Sequence, residues 1–270
     1  MIVRRLTFMV STLQDDDPSP FNVVREAGES PFLLSGDHAG FAVPKSLRSL
    51  GLPKSELCRH IGVDIGIATL GAMLSEALDA TFISQPYSRL VIDCNRHKGQ
   101  ADSIPTKSDG TFIPANQGLS PEERTRRERA VFDPYHARFR DLLDQRHADG
   151  RPSVLVALHS FTPHHGEFPD PRPWHISILY NRDARLARPL LGHLRGEADL
   201  VVGENEPYVV SDELDYGIPV HGELRGILSV EIEIRQDTLT DVDACQAWCD
   251  RLARLLPAAL NDVTPAGQIM

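Results

Sequence analysis

The sequence predicts an α/β fold in which a mixed, mostly parallel sheet is covered by helices on both faces. Short apolar runs of strand character alternate along the chain with segments whose apolar residues have helical spacing. Strands separated by helices need crossover connections, which favour parallel pairing and a sheet buried on both faces. A chain of 270 residues, 41% of them hydrophobic, suits one large domain of this kind or two small ones.

The first part of the chain contains two predicted strands with a helix between them. Residues 32–35 (FLLS) and 89–94 (RLVIDC) have the apolar composition of buried strands. Residues 65–80 (IGIATLGAMLSEALDA) combine strong helix formers with apolar residues at helical spacing. Residues 97–119 are rich in Gly, Ser, Thr, Asp and Pro, which predicts a surface loop.

A long helical segment over residues 120–150 begins with a capping box. Ser120 is the predicted N-cap, Pro121 takes the first helical position, and Glu123 lies three residues after the cap. Pro134 is expected to kink or split the helix, because proline removes a backbone donor. Gly150 is expected to end it.

The remaining elements continue the alternation. Strands are predicted at residues 154–158 (VLVAL), 175–180 (HISILY), 199–203 (DLVVG) and 227–234 (ILSVEIEI), with helices near 183–195 and 241–256. No internal repeat or low-complexity block interrupts this pattern. We therefore expect one domain over residues 1–270, in which residues 1–20 form a poorly ordered lead and residues 258–270 a tail.

Charge and composition argue against several classes of partner. A formal net charge of −10 disfavours nucleic acid and anionic membranes, which both need a basic surface. An anionic small molecule stays possible, because two arginines can outweigh the global charge locally. No window approaches 18 uninterrupted apolar residues, so no membrane span is predicted.

Two further features indicate a cytoplasmic protein. The N-terminal stretch MIVRRLTFMVSTLQDDD is interrupted by polar residues and lacks a small-residue cleavage site, so it is interpreted as a disordered or strand-like lead rather than a signal peptide. The cysteines, at positions 58, 94, 245 and 249, do not have zinc-finger spacing. We expect reduced thiols.

Polar residues follow the predicted strands repeatedly. SGDH follows FLLS, NR follows RLVIDC, HSFTPHH follows VLVAL, and GENEPY follows DLVV. In open α/β sheets, ligands bind beyond the carboxyl ends of the strands. The alignment of polar clusters with strand ends therefore predicts a functional site at this edge.

Two histidines at this edge, His38 and His159, indicate a metal centre. Three His or carboxylate ligands with one open position are the pattern of catalytic zinc. The acidic ligand can be either of two residues, Asp37 or Asp64. Asp37 adjoins His38, and neighbouring side chains rarely point at the same ion. Asp64 precedes the first long helix and can turn back toward the strand ends, although a helix N-cap is its alternative role.

Arginines and acids complete the predicted site. Arg89, Asn95 and Arg96 lie on or just after one predicted strand, and paired arginines suit an anionic substrate because each can grip a carboxylate bidentately. Surface ion pairs are the alternative. Glu231 and Glu233 lie two apart on one strand face. That face is expected to open on solvent or on a site, where one acid can act as the general base of a metal hydrolase.

Six segments in order resemble the N-formylglutamate amidohydrolase family: SGDHAGFAVP, HIGVDIGIATLG, YSRLVIDCNR, LHSFTP, GENEPY and HGELRGILSVEIEIRQD. They extend from about Leu33 to Asp237. The family belongs with zinc carboxypeptidase-like and aspartoacylase-like hydrolases, so the resemblance implies a phosphorylase/hydrolase-like three-layer α/β/α fold. It also implies one zinc ion and hydrolysis of a small anionic N-acyl amino acid, with N-formyl-L-glutamate the expected substrate.

The resemblance implies roles for the metal ligands. His38 matches the His that follows a strand in zinc carboxypeptidases, and Asp64 takes the place of their acid at the start of the next helix. Residues 39–63 would then be an insertion, which leaves the choice between Asp64 and Asp37 open. His159, followed by Ser160, matches the later ligand motif.

The resemblance also implies roles in substrate binding and catalysis. Asn95 and Arg96 match the pair that binds the terminal carboxylate of the substrate. Glu233 matches the general base of an E-x-R segment, which favours it over Glu231. His221 lies where the family carries a His before the last strand, and is expected to be an oxyanion stabiliser or proton donor. Tyr208, in GENEPY, is predicted as a further substrate-binding residue.

Two alternatives remain at this point. A carboxypeptidase, or a deacylase for another N-acyl amino acid, would use the same scaffold. A non-catalytic metal- or amino-acid-binding protein is more distant, because it needs no base on the last strand. The sequence does not define the oligomeric state.

Overall fold

A seven-stranded mixed sheet forms the centre of the molecule. The computed structural model describes residues 12–167 and 171–263. The strands of the sheet are β1 (Asn22–Val24), β2 (Phe32–Gly36), β3 (Thr81–Ser84), β6 (Val154–Phe161), β7 (Ile176–Leu179), β8 (Val202–Glu204) and β9 (Leu228–Arg235). A separate hairpin consists of β4 (Lys107–Ser108) and β5 (Thr111–Phe112). Residues 1–11 of the lead predicted over 1–20, and residues 264–270 of the tail predicted over 258–270, lie outside the described residues.

The strand order is β1-β3-β2-β6-β9-β7-β8. The four strands β3, β2, β6 and β9 pair in parallel, and β8 is parallel to β7. β1 on β3 and β7 on β9 are antiparallel. The predicted mixed, mostly parallel sheet is therefore confirmed, and the carboxyl ends of β2, β6 and β9 lie at one edge.

Helices cover both faces of the sheet. They are α1 (Lys54–Leu57), α2 (Ile67–Leu78), α3 (Pro121–Arg127), α4 (Asp133–Ala148), α5 (Ala187–Arg195) and α6 (Val242–Val263). One core contains the buried residues of α2, α5 and α6, and the other contains those of α4. Successive strand residues alternate between the two cores, as Leu34 and Leu33 do. This confirms the three-layer α/β/α fold.

The predicted capping box is present. The Glu123 amide donates to Ser120 Oγ, and the Ser120 amide donates to the Glu123 carboxylate. A π-helical segment over residues 128–132 separates α3 from α4, just before Pro134. This agrees with the predicted kink or split of the helix. Gly150, with φ of +69°, follows the end of α4.

The strand predicted at residues 89–94 is wrong. Leu90 and Val91 are buried as predicted, but side chains satisfy their carbonyls: Asn116 Nδ2 donates to Leu90 O at 2.9 Å, and Arg127 Nη1 donates to Val91 O at 3.0 Å. The backbone there runs through turns. The strand that follows α2 is instead β3, immediately after the helix.

Several boundaries also differ. β6 continues past residue 158, so His159 lies inside the strand rather than after it. α6 continues through Pro257 to Val263, which makes residues 258–263 helical.

Residues 12–20 contact the rest of the protein: the Pro18 carbonyl accepts from Tyr87 Oη, and the Pro20 carbonyl accepts from Gln85 Nε2. No helix within residues 12–167 and 171–263 is long and apolar enough to cross a membrane.

Candidate metal centre and active-site cleft

A cleft of about 420 Å³ opens at the carboxyl ends of the central strands. Most of the predicted site residues line it, namely His38, Arg89, Asn95, Arg96, His159, Tyr208, Glu231 and Glu233. Asp64 contacts both histidines. The fold therefore brings together residues that are up to about 195 positions apart in the sequence, counted from His38 to Glu233.

The side chains of His38, Asp64 and His159 converge at the base of this cleft. His38 Nδ1 lies 3.5 Å from Asp64 Oδ2, and His159 Nδ1 lies 2.9 Å from the same oxygen. One ligand atom from each residue lies within 4.8 Å of the others. Ligands bound at about 2.1 Å to a tetrahedral ion stand about 3.4 Å apart, so these spacings suit a zinc-sized cation.

Hydrogen bonding also favours a cation at this point. All three residues are buried, and His38 Nδ1 has no hydrogen-bond partner in the described part of the chain. Two imidazole nitrogens and a carboxylate form the donor set that zinc takes in hydrolases. The residues present therefore fit a divalent ion.

Asp64 rather than Asp37 faces the two Nδ1 atoms. The Asp64 amide donates to His38 O at 2.9 Å, which fixes the carboxylate beside the end of β2. The N-cap of α2 is Gly66, without a side-chain cap, so Asp64 does not have the alternative capping role. Asp37 accepts a hydrogen bond from Tyr135 Oη, and its other oxygen lies 3.9 Å from His159 Nε2.

Asp93 binds the ring nitrogen of His38 that points away from Asp64. It is not among the site residues predicted from the sequence. His38 Nε2 donates to Asp93 Oδ1 at 2.7 Å, while Arg89 binds the other oxygen through Nε at 3.0 Å and Nη2 at 2.7 Å. Histidines that bind metals commonly donate their second N–H to a carboxylate in this way. An acid inside the apolar run RLVIDC was the only sequence signal for it.

Burial and neighbouring charges shift the pKa values of the site in opposite directions. Burial raises the pKa of Asp64, but His38 and His159 outweigh burial, so the pKa lies below its usual range. Burial lowers the pKa of His159, but Glu231 and Asp64 outweigh it and raise that pKa well above its ordinary value. A cation bound between these groups would take the place of protons on its ligands, because metal ligands must be deprotonated.

Glu231 and Glu233 lie on the α4 face of β9, beside the histidines. Glu233 is directly opposite His159 in the β6–β9 pairing, and Glu231 is opposite Ala157, one pleat further from the strand ends. Burial raises the pKa of Glu231 to about 7 and that of Glu233 well above its usual value, and His159 opposes both shifts. Buried acids with raised pKa values in a cleft are typical of catalytic sites.

The two arginines of the cleft are held by acids. Besides Asp93, Arg89 approaches Asp64, with Nη1 3.6 Å from Oδ1. Arg96 Nη1 donates to Asp215 Oδ1 at 2.7 Å, and Arg96 Nε donates to Asp102 Oδ2 at 3.1 Å. Their side chains are only 27% and 23% exposed, so these are not the surface ion pairs of the alternative interpretation.

Asn95 and Tyr208 contribute differently to the walls of the cleft. Asn95 Oδ1 accepts from the Tyr216 and Gly217 amides at 3.1 and 2.8 Å, so this oxygen orders the neighbouring backbone. Arg172 Nη1 donates to Tyr208 Oη at 3.0 Å, which fixes the tyrosine at the cleft wall.

The model of the N-formylglutamate amidohydrolase family matches residues 30–240. The chain belongs to this family. The resemblance predicted from the six segments is thereby confirmed, and it indicates a hydrolase of the amidohydrolase type.

Two solved structures have the same fold as this chain. A gene product of Agrobacterium tumefaciens is similar at 34% identity and a TM-score of 0.89, covering 93% of this chain and 99% of that one. N-formylglutamate amidohydrolase from Ralstonia eutropha JMP134 shares the fold, at 18% identity and a TM-score of 0.64, with 90% and 98% of the two chains covered. No curated protein matches the sequence.

The family resemblance predicts a catalytic role for His221, but the structure does not bring His221 into the cleft. Its ring is fully buried, contacts His136 Nδ1 through Nε2 at 2.9 Å, and stacks on Phe139 at a centroid distance of 4.2 Å. Burial lowers the pKa of His221 to about 3. In this amidohydrolase, His221 is therefore a neutral core residue, because the turn before β9 directs it into the core on the α4 side of the sheet.

Proposed function

We propose that this protein is a zinc-dependent amidohydrolase that hydrolyses N-formyl-L-glutamate to formate and L-glutamate. One observation carries the proposal: within one cleft, the donors of His38, Asp64 and His159 converge while the buried Glu233 stands directly opposite His159. Membership of the N-formylglutamate amidohydrolase family supports it independently.

His38, Asp64 and His159 would hold the ion. Bound there, zinc supplies Lewis-acid polarisation of the amide carbonyl and of the attacking water. Asp93 keeps His38 oriented, since it accepts the Nε2 proton and leaves Nδ1 directed toward Asp64.

Glu233 is the proposed general base. It accepts a proton from water as the water oxygen bonds to the formyl carbon, and it passes the proton to the amide nitrogen as the C–N bond breaks. The products are formate and the free amine of glutamate. Burial raises the pKa of Glu233 well above its usual value, which makes its carboxylate a stronger proton acceptor.

Arg96 and Arg89 are proposed to bind the carboxylates of the substrate. Both line the cleft, and both already have carboxylate partners, which hold the guanidinium groups in place before substrate arrives. Asn95 and Tyr208 would complete the wall. Fixing the substrate in this way places its formyl carbon against the water, and such positioning can supply several kcal/mol of the barrier.

Formate release tests the proposal when it is measured together with zinc content. Chelator-treated protein should be inactive, and one equivalent of zinc in the site should restore hydrolysis of N-formyl-L-glutamate. N-acetyl-L-glutamate and a dipeptide with a C-terminal glutamate are the alternative substrates tested for comparison. Faster hydrolysis of either would identify a deacylase or a carboxypeptidase instead. Zinc-loaded protein that hydrolyses none of the three would contradict an enzymatic role on such substrates.

A further inference from the structure

A second cluster of metal-binding residue types lies in the wall of the same cleft. It consists of His60, Asp109 and His165, which we call the outer cluster. His60 follows α1, Asp109 lies at the tip of the β4–β5 hairpin, and His165 lies on the loop after β6. Three separate segments therefore bring one carboxylate and two imidazoles together.

The geometry of the outer cluster resembles that of the inner one. His60 Nε2 lies 3.2 Å from Asp109 Oδ2. His165 Nδ1, which also accepts from the Glu167 amide at 3.2 Å, lies 3.5 Å from Asp109 Oδ1. One ligand atom from each residue again lies within 4.8 Å of the others. These spacings are close to the roughly 3.4 Å between ligands of a tetrahedral zinc ion.

Burial and hydrogen bonding point to a missing partner at His60. Its Nε2 is buried, and despite its approach to Asp109 it has no hydrogen-bond partner within the described residues. Asp109 is turned inward although it lies at a hairpin tip, since its side chain is only 7% exposed. Burial also lowers the pKa of His60, which favours the neutral imidazole that a metal ion requires.

The surrounding charges leave room for a cation. Arg59 donates to Asp109 Oδ2 at 3.0 Å, but it also donates to Glu56 Oε2 at 2.6 Å. The single positive charge of Arg59 therefore balances only one of the two negative charges on Glu56 and Asp109. Lys107, at the same wall, is paired with Glu167. A divalent ion can bind Asp109 while Arg59 keeps Glu56.

We propose that the outer cluster is a second divalent-metal site, of zinc type, in which His60, Asp109 and His165 are the protein ligands. It is separate from the inner site of His38, Asp64 and His159, and it does not depend on the proposed amide hydrolysis. Because the outer cluster lines the cleft, an ion there would lie in the same cavity as the inner site.

Zinc stoichiometry on chelator-stripped protein tests this site. Calorimetric titration with zinc alone should give two equivalents for the wild type and one for Asp109→Asn. Asparagine keeps the side-chain size and tolerates the positive φ of +38° at this position. His60→Ala, which leaves the hairpin unchanged, should also give one equivalent. His193→Ala is the matched control, because it removes an exposed His–Asp pair with Asp262 elsewhere and should keep two.

The variant His159→Ala separates the two sites. It should retain one equivalent, and adding Asp109→Asn to it should abolish binding. A wild type that takes up one ion, lost in His159→Ala and unchanged in Asp109→Asn, would overturn the proposal and leave the proposed function intact. One ion that is retained in His159→Ala but lost in Asp109→Asn would support the outer site and contradict the inner one. Thermal unfolding of each stripped variant checks that it is folded.

Discussion

Replacing Glu233 with Gln should separate proton transfer from metal binding and folding. Gln keeps the length and shape of the side chain, and Glu233 Oε2 has no hydrogen-bond partner in the described structure. Burial raises the pKa of Glu233 well above its usual value, which favours the neutral carboxyl over the carboxylate. A neutral amide is therefore a close substitute in the resting protein, and both zinc content and thermal stability should be nearly unchanged.

Activity should fall sharply in this variant. Loss of a general base costs about 10²–10⁴-fold in rate, which corresponds to about 2.7–5.4 kcal/mol of transition-state stabilisation. Glu231→Gln is the matched control on the same strand face. Glu231 is opposite Ala157, one pleat further from the strand ends than Glu233, so its loss should reduce kcat less.

The assay is formate release at saturating N-formyl-L-glutamate, with zinc measured on the same samples. A fall in kcat at unchanged KM and zinc content is expected for Glu233→Gln. If Glu231→Gln is the slower variant at equal zinc content, the base has been assigned to the wrong glutamate. Two variants that both retain full hydrolysis would refute a carboxylate base on β9.

Further predictions concern the ligands, the arginines and the core histidine. His159→Ala should lose the inner zinc ion. Asp37→Asn should retain it, because Asp37 Oδ2 lies 3.9 Å from His159 Nε2, on the side of the ring away from Asp64. Metal analysis after dialysis measures both, and zinc retained by His159→Ala but lost from Asp37→Asn would contradict this assignment. Arg96→Lys should lower kcat/KM about 10- to 150-fold, from the roughly 1.5–3 kcal/mol of a charged hydrogen bond. An N-formyl amine without the α-carboxylate should show no such difference, and an equal loss with it would remove Arg96 from carboxylate binding. His221→Gln should leave kcat/KM within about twofold but lower the free energy of unfolding by about 1–3 kcal/mol, since it disturbs a buried hydrogen bond. Because the folded pKa of His221 is about 3 and its unfolded value 6.5, its stabilising contribution is complete above pH 6.5 and falls by about 2 kcal/mol by pH 5. The stability gap between wild type and variant should therefore narrow on acidification, and a gap that widens would contradict a neutral core histidine.

Local features of the fold could be predicted from the sequence. The capping box at Ser120 formed as predicted, because its donors and acceptors lie within four residues of each other. The alternation in β9, which puts Glu231 and Glu233 on one face, follows from the pleat of any strand. The placement of His38 and His159 at the edge of one sheet needed only the rule that parallel strands align their carboxyl ends.

Long-range contacts determine the parts of the fold and of the site that the sequence did not predict. Residues 89–94 have strand composition, yet the side chains of Asn116 and Arg127 satisfy their carbonyls and remove the need for a neighbouring strand. Asp93 became part of the metal centre because that irregular backbone turns its carboxylate toward His38. No periodicity in the sequence encodes such a contact between residues 55 positions apart.

The position of His221 and the existence of the outer cluster also depend on tertiary structure. A motif places His221 before β9, but the direction of its ring is set by packing against His136 and Phe139. His60 and Asp109 belong to segments predicted as loop or left unassigned, where neither spacing nor pattern relates one residue to another. The sequence by itself determined most of the helices and strands, and which residues of a strand share a face, since those depend on local backbone geometry. Which side chains meet across the cleft was decided only by tertiary structure, because such contacts require the loops between the elements to fold against the finished sheet.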